Sequence, residues 1–400
     1  MKQTMPILVS MTAMYDALAR PSNSHMSFIF TAYVLGDLVV TLGGLSPEQI
    51  FAQLQATIPH ENTYFLEGLP KSWLVREDFL ANMNLIQDGA VELVLQRAGV
   101  DLVVDSRTTI SVPLVTPVTP VKDTNSSFVS YQVYDDFDNT AIFTLDECVN
   151  DDQYIKVLED FWSIVEASDK IDTVVVDLRN NPGGDFTVAP AFLNHLNDTY
   201  DLFDIRQRQS EDFCLQMPIF CDASTLGLLQ SLGVNTTPEV FDLPSSVLSN
   251  VFGVGTPHVE KFAGDVFVLT SGTTFSSANL FAGVVQNNGL GRVVGTPTGN
   301  TPTSWGSVLE FAVPQTDLVL YLTTSATILQ ASSNANAVVP DVMVATTRDD
   351  ILAGRDAQVE WVLTRNTETS TEPTVAPTSC SSAYVTSLGA IVSFLAIMCI

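Results

Sequence analysis

Short apolar segments alternate with longer amphipathic ones through much of the chain. Thr173–Leu178 and Asp265–Thr270 consist mainly of β-branched and other apolar residues, and each has the length of a buried strand. Asp152–Ser168 and Ser276–Asn288 instead carry apolar residues at helical spacing. Together with the short strand Arg292–Gly295, this alternation predicts an α/β domain with a largely parallel sheet.

The remaining segments predict less regular elements. Upstream, Trp73–Gly99 is predicted to be helical, and downstream Asp349–Leu363 predicts a last helix. Trp305–Val313 and Leu318–Thr323 predict a hairpin. Phe203–Leu248 has little periodicity and several Pro and Gly residues, so we expect an insertion that acts as a lid.

The strongly negative net charge limits the kinds of molecule that the chain is expected to bind. The 400 residues carry a formal net charge of −28 with only 17 Lys and Arg. Because binding to nucleic acid requires basic residues that neutralise phosphates, we expect no nucleic-acid partner.

The five cysteines do not have the spacing of a metal site, and we expect neither a metal nor another cofactor. Cys214 and Cys221 could bridge a short loop if the chain is exported; the alternative is unpaired buried thiols. Three N-x-S/T triplets are candidate glycosylation sites, which also fits export: Asn125, Asn197 and Asn235.

The C-terminal composition predicts a surface anchor. Residues 366–382 are rich in Ser, Thr and Pro and are too polar to pack a core. Residues 383–400 are uncharged and mostly apolar. A polar spacer followed by an apolar C-terminal tail is typical of a GPI-attachment signal; a tail-anchored transmembrane helix is the alternative. Met1–Ala19 lacks a signal peptide, so we expect the natural protein to have further residues before Met1.

Two polar turns are the candidates for chemistry. Asp177–Gly184 reads DLRNNPGG and follows a buried strand, at the sheet edge where open α/β sheets carry their sites. Ser276 and Ser277 lie where a strand leads into a helix, beside backbone N–H groups able to stabilise an oxyanion. By itself, the serine has a simpler interpretation as a helix N-cap.

These two turns, in this order, resemble the C-terminal-processing (tail-specific) serine protease family. The resemblance rests on DLRNNPGG, on TTFSSANLFAGVVQNNGLGRVVGTPTG and on the continuation PTGNTPTSWGSVLEFAVPQTDL. VPDVMVATTRDDILAGRDAQVEWVL is similar to the family's closing segment, and LGGLSPEQIFAQLQATIPHENTYF to its PDZ-like region. The resemblance covers most of residues 15–365.

The resemblance implies a crotonase-like (ClpP-like) αβ protease core with a PDZ-like N-terminal region. It divides the chain into a partial N-terminal segment, a PDZ-like region, a catalytic core, a stalk and a hydrophobic tail, at residues 1–32, 33–115, 116–365, 366–382 and 383–400.

The resemblance also implies a serine endopeptidase that acts on proteins or peptides. The nucleophile would be Ser276, and the oxyanion hole would be formed by the backbone of Ser277 with Gly183 or Gly184. One branch of the family uses a Lys after the T-x-G motif, but Asn300 and Thr301 stand there in this chain.

The base is therefore expected to be a histidine, as in the branch with a Ser-His pattern. MYDALARPSNSHMSF is similar to that branch's histidine segment and implies His25, with His60, His195 and His258 as alternatives. The family's late Glu would fall near Val338 or Val339, so Asp341 is the candidate that orients the histidine.

Two further functions remain open at this stage. One is a catalytically inactive surface protein of the same fold that binds a ligand or a protein, since a fold does not fix its function. The other is an acyl-CoA enzyme of the crotonase type, for which the chain lacks a basic patch. The expected location is extracellular or at the cell surface, with the chain anchored in the membrane at its C-terminus.

Overall fold

The structure is a computed structural model. It describes residues 38–68, 77–97, 106–113, 127–134, 139–196, 199–251, 261–316, 318–329, 335–365 and 396–399. Within these ranges the strands, numbered in chain order, are β1 (Leu38–Leu42), β2 (Ile86–Gln87), β3 (Ala90–Arg97), β4 (Ser106–Pro113), β5 (Val129–Tyr134), β6 (Thr140–Leu145), β7 (Thr173–Asp177), β8 (Asp204–Arg208), β9 (Val240–Leu243), β10 (Asp265–Thr270), β11 (Arg292–Gly295), β12 (Thr303–Ala312), β13 (Leu318–Ile328), β14 (Val342–Met343) and β15 (Ala396–Cys399).

The α-helices in the same ranges are α1 (Pro47–Thr57), α2 (Thr63–Gly68), α3 (Glu77–Asn82), α4 (Asp152–Ala167), α5 (Val188–Leu193), α6 (Glu211–Gln216), α7 (Ala223–Ser231), α8 (Ser245–Val251), α9 (Ser277–Asn287), α10 (Arg348–Ala353) and α11 (Ala357–Thr364).

A six-stranded sheet of order β14-β11-β10-β7-β6-β5 forms the centre of the molecule. Its strands run parallel except β5, which is antiparallel to β6 at one edge. The predicted α/β domain with a largely parallel sheet is thus confirmed. Because parallel strands share a direction, the turns that follow β7 and β10 meet at the same edge of the sheet.

Helices and loops cover both faces of this sheet, which explains why the central strands β7 and β10 are apolar at every inner position. Val266 and Val268 of β10 pack into one core cluster with α4, α5 and α9. The alternate residues Phe267 and Leu269 pack on the other face with Val362 of α11.

The predicted hairpin forms as β12 and β13, which pair antiparallel. The predicted insertion is more regular than its sequence indicated, since β8 and β9 extend the hairpin into a sheet of order β12-β13-β8-β9 and α6, α7 and α8 pack beside it. Cys214 and Cys221 form a disulfide in this region, which decides between the two alternatives for these thiols.

The prediction of one helix over Trp73–Gly99 is wrong in the described part. The helix α3 ends at Asn82, and Asn84 adopts a left-handed backbone with φ of 55°. The segment that follows forms β3, in which Val91, Leu93 and Leu95 are buried. That period of two was masked in the sequence because Val94, between two of these residues, is also apolar.

The predicted last helix is divided in two. The helix α10 ends before Gly354, whose φ of 64° is the left-handed conformation typical of a helix C-terminus. Asp356 then caps α11 by accepting a hydrogen bond from the Val359 N–H. Among the described residues, no helix combines the length and the apolar character needed to cross a membrane.

Candidate active site

Ser276 lies at the junction between β10 and α9 in a strained backbone conformation. Its φ of 50° and ψ of −121° lie outside the regions that L-residues commonly adopt. It occupies the N-cap position of α9, yet its side chain accepts no capping hydrogen bond from the helix. Since the half-buried hydroxyl is not used as a cap, it remains available for another role.

Gly183 and Gly184 pass directly beside this junction. A Cβ on Gly183 would stand 2.5 Å from the Cβ of Ser276, and one on Gly184 would stand 2.2 Å from the carbonyl oxygen of Cys148. Both glycines have positive φ, 106° and 131°. Glycine is therefore required at both positions, for space and for backbone conformation.

Two backbone N–H groups of the junction make no hydrogen bond to any described residue, those of Gly184 and Ser277. The Ser277 hydroxyl donates to the Gly184 carbonyl at 2.6 Å, which links the two backbones. By contrast, the Gly183 N–H already donates to Asn181 Oδ1 at 2.8 Å. Of the two glycines expected from the sequence, Gly184 is therefore the one with an available donor.

Asn181 fixes the shape of the glycine turn from the inside. Its side chain is fully buried, and Nδ2 donates to the Leu145 carbonyl at 2.9 Å. Its own carbonyl accepts the Phe275 N–H at 3.0 Å, so the glycine turn is hydrogen-bonded to the residue preceding Ser276. Nearby, the Thr274 hydroxyl donates to the Leu178 carbonyl at 2.8 Å.

Arg179 joins the glycine turn to the last helix. It contacts Asp177 at 2.6 Å and Asp356, the N-cap of α11, at 2.7 Å. Burial alone would lower the pKa of Arg179, but the hydrogen bonds and charges of the two carboxylates raise it further above its ordinary value. Arg179 is therefore charged, and its role is to hold the turn that carries the glycines.

Cys148 lies close to this turn, and its thiol is a chemical group that could act as a nucleophile. Its thiol is buried and contacts Asn181 Oδ1 at 3.4 Å, and burial raises its pKa to about 12. A thiol with such a pKa is protonated at neutral pH and is a poor nucleophile. Among the described residues, no group of His, Cys, Asp and Glu could hold a metal ion.

The histidines expected from the sequence are only partly described. His25 lies outside the described residues, as does His258. His195 stacks on Trp162 with ring centroids 5.0 Å apart, and its backbone carbonyl accepts the Phe262 N–H just before β10 begins. Because Ser276 follows the other end of β10, His195 is at the wrong end of the sheet to act on it.

His60 lies at the edge of the sheet that carries Ser276. Its Nδ1 is 2.8 Å from the Ile58 carbonyl, so the N–H is on Nδ1 and Nε2 is an acceptor. The next residue, Glu61, contacts the Asn300 side chain, and Asn300 contacts the Ser276 backbone. Of the two described histidines, His60 is therefore the one whose neighbour in the chain is linked to Ser276 by hydrogen bonds.

Asp341 does not lie beside Ser276. Its carboxylate accepts hydrogen bonds from the Val293 N–H at 2.7 Å and from Gln286 Nε2 at 3.0 Å. Gln286 lies ten residues after Ser276, or roughly 15 Å along the helix axis. This position does not support the role of Asp341 in orienting a histidine near Ser276, since one of its oxygens accepts from Gln286 of α9 and the other from Val293 of β11.

Sequence reasoning missed Asn300 and Glu61. The family motif marks Asn300 only as the position where a lysine is lacking, yet its Oδ1 accepts the Ser276 N–H at 2.7 Å. Glu61 belongs to the I-P-H-E-N segment, and its Oε2 accepts a hydrogen bond from Asn300 Nδ2 at 2.6 Å. The similarity of the I-P-H-E-N segment to a family motif is the sequence feature that could have indicated Glu61. The contact itself joins residues 239 positions apart in the chain.

Of the candidate glycosylation sites, Asn235 is the one that lies within the described residues, and it is exposed on the insertion. Its Oδ1 accepts a hydrogen bond from the Thr237 hydroxyl at 2.7 Å. Asn125 and Asn197 lie outside the described residues.

Known structures share the overall fold of this chain. CPAF in complex with lactacystin is 15% identical, with a TM-score of 0.53 over 84% of this chain and 77% of the CPAF chain. Mature CPAF is 16% identical, with a TM-score of 0.52 over 83% of this chain and 76% of its own. This similarity shows a shared fold. Among curated proteins, none matches the sequence.

The family assignment rests on sequence. The sequence model of peptidase family S41 matches residues 95–344, which is more than half of the 400 residues. The match includes the glycine turn, the serine junction and Asn300, and it confirms the resemblance to C-terminal-processing proteases. The chain therefore belongs to peptidase family S41 and is a serine-type peptidase.

Proposed function

We propose that this peptidase cleaves peptide bonds through an acyl-enzyme formed on Ser276. One observation carries the proposal: the Ser276 hydroxyl is not used to cap α9, and it lies beside the two available N–H groups of Ser277 and Gly184. A nucleophile next to available backbone N–H donors is the arrangement that acyl transfer requires.

The reaction then follows from these groups. The Ser276 oxygen attacks the carbonyl carbon of the substrate while its proton passes to a base. The negative charge that develops on the carbonyl oxygen is stabilised by the Ser277 and Gly184 N–H groups. The base then gives this proton to the leaving amine, and the peptide bond breaks. Water next attacks the ester while the base takes its proton, and the Ser276 oxygen leaves and regains a proton from the base.

The base in this proposal is a histidine. His25 is the candidate implied by the family resemblance. His60 is the second candidate, supported by its Nδ1 contact with the Ile58 carbonyl, since that bond leaves Nε2 to accept a proton. No role is proposed for Asp341, whose two oxygens accept hydrogen bonds from Gln286 of α9 and Val293 of β11.

The finer fold assignment and the domain limits belong to the same proposal. We assign residues 116–365 to a crotonase-like core and residues 33–115 to a PDZ-like region. The first assignment is supported by the parallel sheet with Ser276 after β10. The second is supported by the separate antiparallel sheet of β1 to β4 and its own core around Leu54, Leu66 and Leu93.

We further propose that the protein is exported, glycosylated and anchored at its C-terminus. The disulfide between Cys214 and Cys221 supports export, because disulfides persist in oxidising compartments. The exposed position of Asn235 also supports it. A mass that falls after glycosidase treatment, and loss from the cell surface after phospholipase treatment, would test glycosylation and the lipid anchor.

A comparison of two N-cap serines tests the proposed nucleophile. Ser210 caps α6 by accepting the Phe213 N–H at 3.1 Å, whereas Ser276 caps nothing. We expect Ser276→Ala to abolish hydrolysis of an unstructured protein substrate with little change in Tm. We expect Ser210→Ala to retain hydrolysis and lose roughly 1 kcal/mol of stability. Hydrolysis by the Ser276→Ala protein would refute the proposal.

The non-catalytic alternative is not favoured, since the chain belongs to a family of serine peptidases and its serine and both glycines are present.

A further inference from the structure

Asn300 binds the backbone of Ser276 with a side chain that is almost completely buried, 2% exposed. Its Oδ1 accepts the Ser276 N–H at 2.7 Å, and its Nδ2 donates to Glu61 Oε2 at 2.6 Å. The two contacts require the same orientation of the amide, because an N–H needs the amide oxygen and a carboxylate needs the amide nitrogen. Glu61 therefore fixes the face that Asn300 presents to Ser276.

Glu61 is itself held in place by the loop that it contacts. The same Oε2 atom accepts hydrogen bonds from the Thr301 N–H at 3.0 Å and from the Thr301 hydroxyl at 2.7 Å. With Asn300 Nδ2, three donors converge on one carboxylate oxygen. Hydrogen bonds to a charged acceptor are about twice as strong as those between neutral groups.

This contact is part of a wider interface between residues 61–68 and the loops around Ser276. Asn62 Nδ2 donates to the Thr298 carbonyl at 3.2 Å and to the Asn336 carbonyl at 2.7 Å. The Phe65 ring lies 4.8 Å from the Phe275 ring, centroid to centroid. A Cβ on Gly272 would stand 2.1 Å from the Tyr64 carbonyl oxygen. The segment that carries Glu61 thus packs tightly against the turn that carries the nucleophile.

We infer that Glu61 and Asn300 are positioning residues that hold the Ser276 backbone in its strained conformation. Asn300 acts through the Ser276 N–H, and Glu61 acts through Asn300. This inference rests on the proposed role of Ser276 as the nucleophile. Glu61 belongs to the proposed PDZ-like region, yet it positions a residue of the core. Removal of its carboxylate therefore slows acylation although no residue of the core is changed.

The physical reason lies in the backbone of Ser276. Its φ of 50° is unfavourable for a serine, so the conformation persists only where neighbouring contacts enforce it. The Ser276 N–H contact is one such constraint. Without it, the hydroxyl and the adjacent Ser277 N–H lose their fixed relation, and a displacement of about 1 Å in a catalytic group costs on the order of a hundredfold in rate.

The test measures the rate constant for labelling of the full chain by a fluorophosphonate between pH 5 and pH 8. Asn300→Asp puts a second carboxylate against Glu61, and two carboxylates in contact repel unless they share a proton. We expect labelling at pH 8 to fall on the order of tenfold to a hundredfold. We expect the ratio of variant to wild-type rate to rise as pH falls, because protonation restores the hydrogen bond.

Substitutions of Glu61 separate charge from shape. Glu61→Gln keeps an acceptor and is expected to label within about threefold of the wild type, whereas Glu61→Ala is expected to label about tenfold more slowly. Adding Glu61→Gln to Asn300→Asp removes the like charge and is expected to raise the rate at pH 8. Asn82→Asp and Glu77→Ala, at exposed positions elsewhere, are the matched controls and should label at the wild-type rate.

A rate ratio for Asn300→Asp that stays constant with pH, or a Glu61→Ala protein that labels at the wild-type rate, would overturn the inference. If Asn300→Asp does not fold, the Glu61 variants decide, since Glu61 is exposed at the surface. A wild-type protein that is not labelled would instead refute Ser276 as the nucleophile. The two failures are therefore distinguishable.

Discussion

Gly183 lies in contact with Ser276, so closely that a Cβ on the glycine would stand 2.5 Å from the Cβ of the serine. Gly183→Ala is therefore expected to displace the Ser276 junction and to strain its own backbone, at φ of 106°. The left-handed conformation alone costs an L-residue about 1–2 kcal/mol. We expect a lower Tm together with a large loss of peptide hydrolysis.

The matched control for this substitution is Gly233→Ala. Gly233 also has positive φ, 86°, but a Cβ there would meet nothing within 4 Å. It should show the backbone penalty in Tm while hydrolysis is retained. If the two alanine proteins hydrolyse peptides equally well, the close approach of Gly183 to Ser276 is not required for activity, and the prediction is wrong.

The pairing of Arg179 with Asp356 predicts a dependence of stability on pH. Burial alone would raise the pKa of Asp356, but the hydrogen bond and charge of Arg179 outweigh it and lower the pKa. A depressed pKa stabilises the folded state above the unfolded value of about 3.9, and this stability is lost as pH falls through the folded value. We therefore expect the Tm deficit of Asp356→Asn to be full at pH 6 and to shrink below about pH 4.

Asp242→Asn is the control for the ion pair. Asp242 pairs with Arg206 at 2.7 Å, but the side chains are 62% and 59% exposed. Exposed pairs contribute little, typically below about 1 kcal/mol, so this variant should unfold near the wild-type Tm at every pH. The Asp356 prediction fails if its Tm deficit is unchanged at pH 3.

The identity of the base is tested with single histidine variants. His25→Ala is expected to lower the rate of hydrolysis by at least a hundredfold, because the serine proton then lacks an acceptor. His195→Ala should retain the rate, since His195 packs on Trp162 away from Ser276. If His60→Ala alone abolishes hydrolysis, His60 is the base and the family-based candidate is wrong.

The sequence predicted the parallel sheet well because its central strands β7 and β10 are buried on both faces. Val266 and Phe267 are adjacent in β10 yet pack in different core clusters, and such a strand is apolar at nearly every position. The opposite holds for β3, whose alternation was hidden by one additional valine. Local pattern therefore identified the core of the fold and misassigned part of the antiparallel sheet of β1 to β4.

The candidate site was predictable only in its local parts. Ser276 and the two glycines lie in short motifs, and the residues next to them in the sequence indicate the backbone conformation of each turn. The link from Glu61 through Asn300 joins positions 239 apart, and no local pattern specifies that contact. Likewise, Asp341 was assigned by its position in a motif, whereas its place beside Val293 depends on how β11 and β14 pair.

The most direct test of the account is to map the residue that a fluorophosphonate modifies. The labelled protein is digested and the modified peptide is sequenced by mass spectrometry. The account predicts one phosphonylated residue, Ser276, with labelling lost in Ser276→Ala and retained at a reduced rate in Ser277→Ala, whose hydroxyl only holds the Gly184 carbonyl. Modification of Ser277, or labelling that persists in Ser276→Ala, would contradict it.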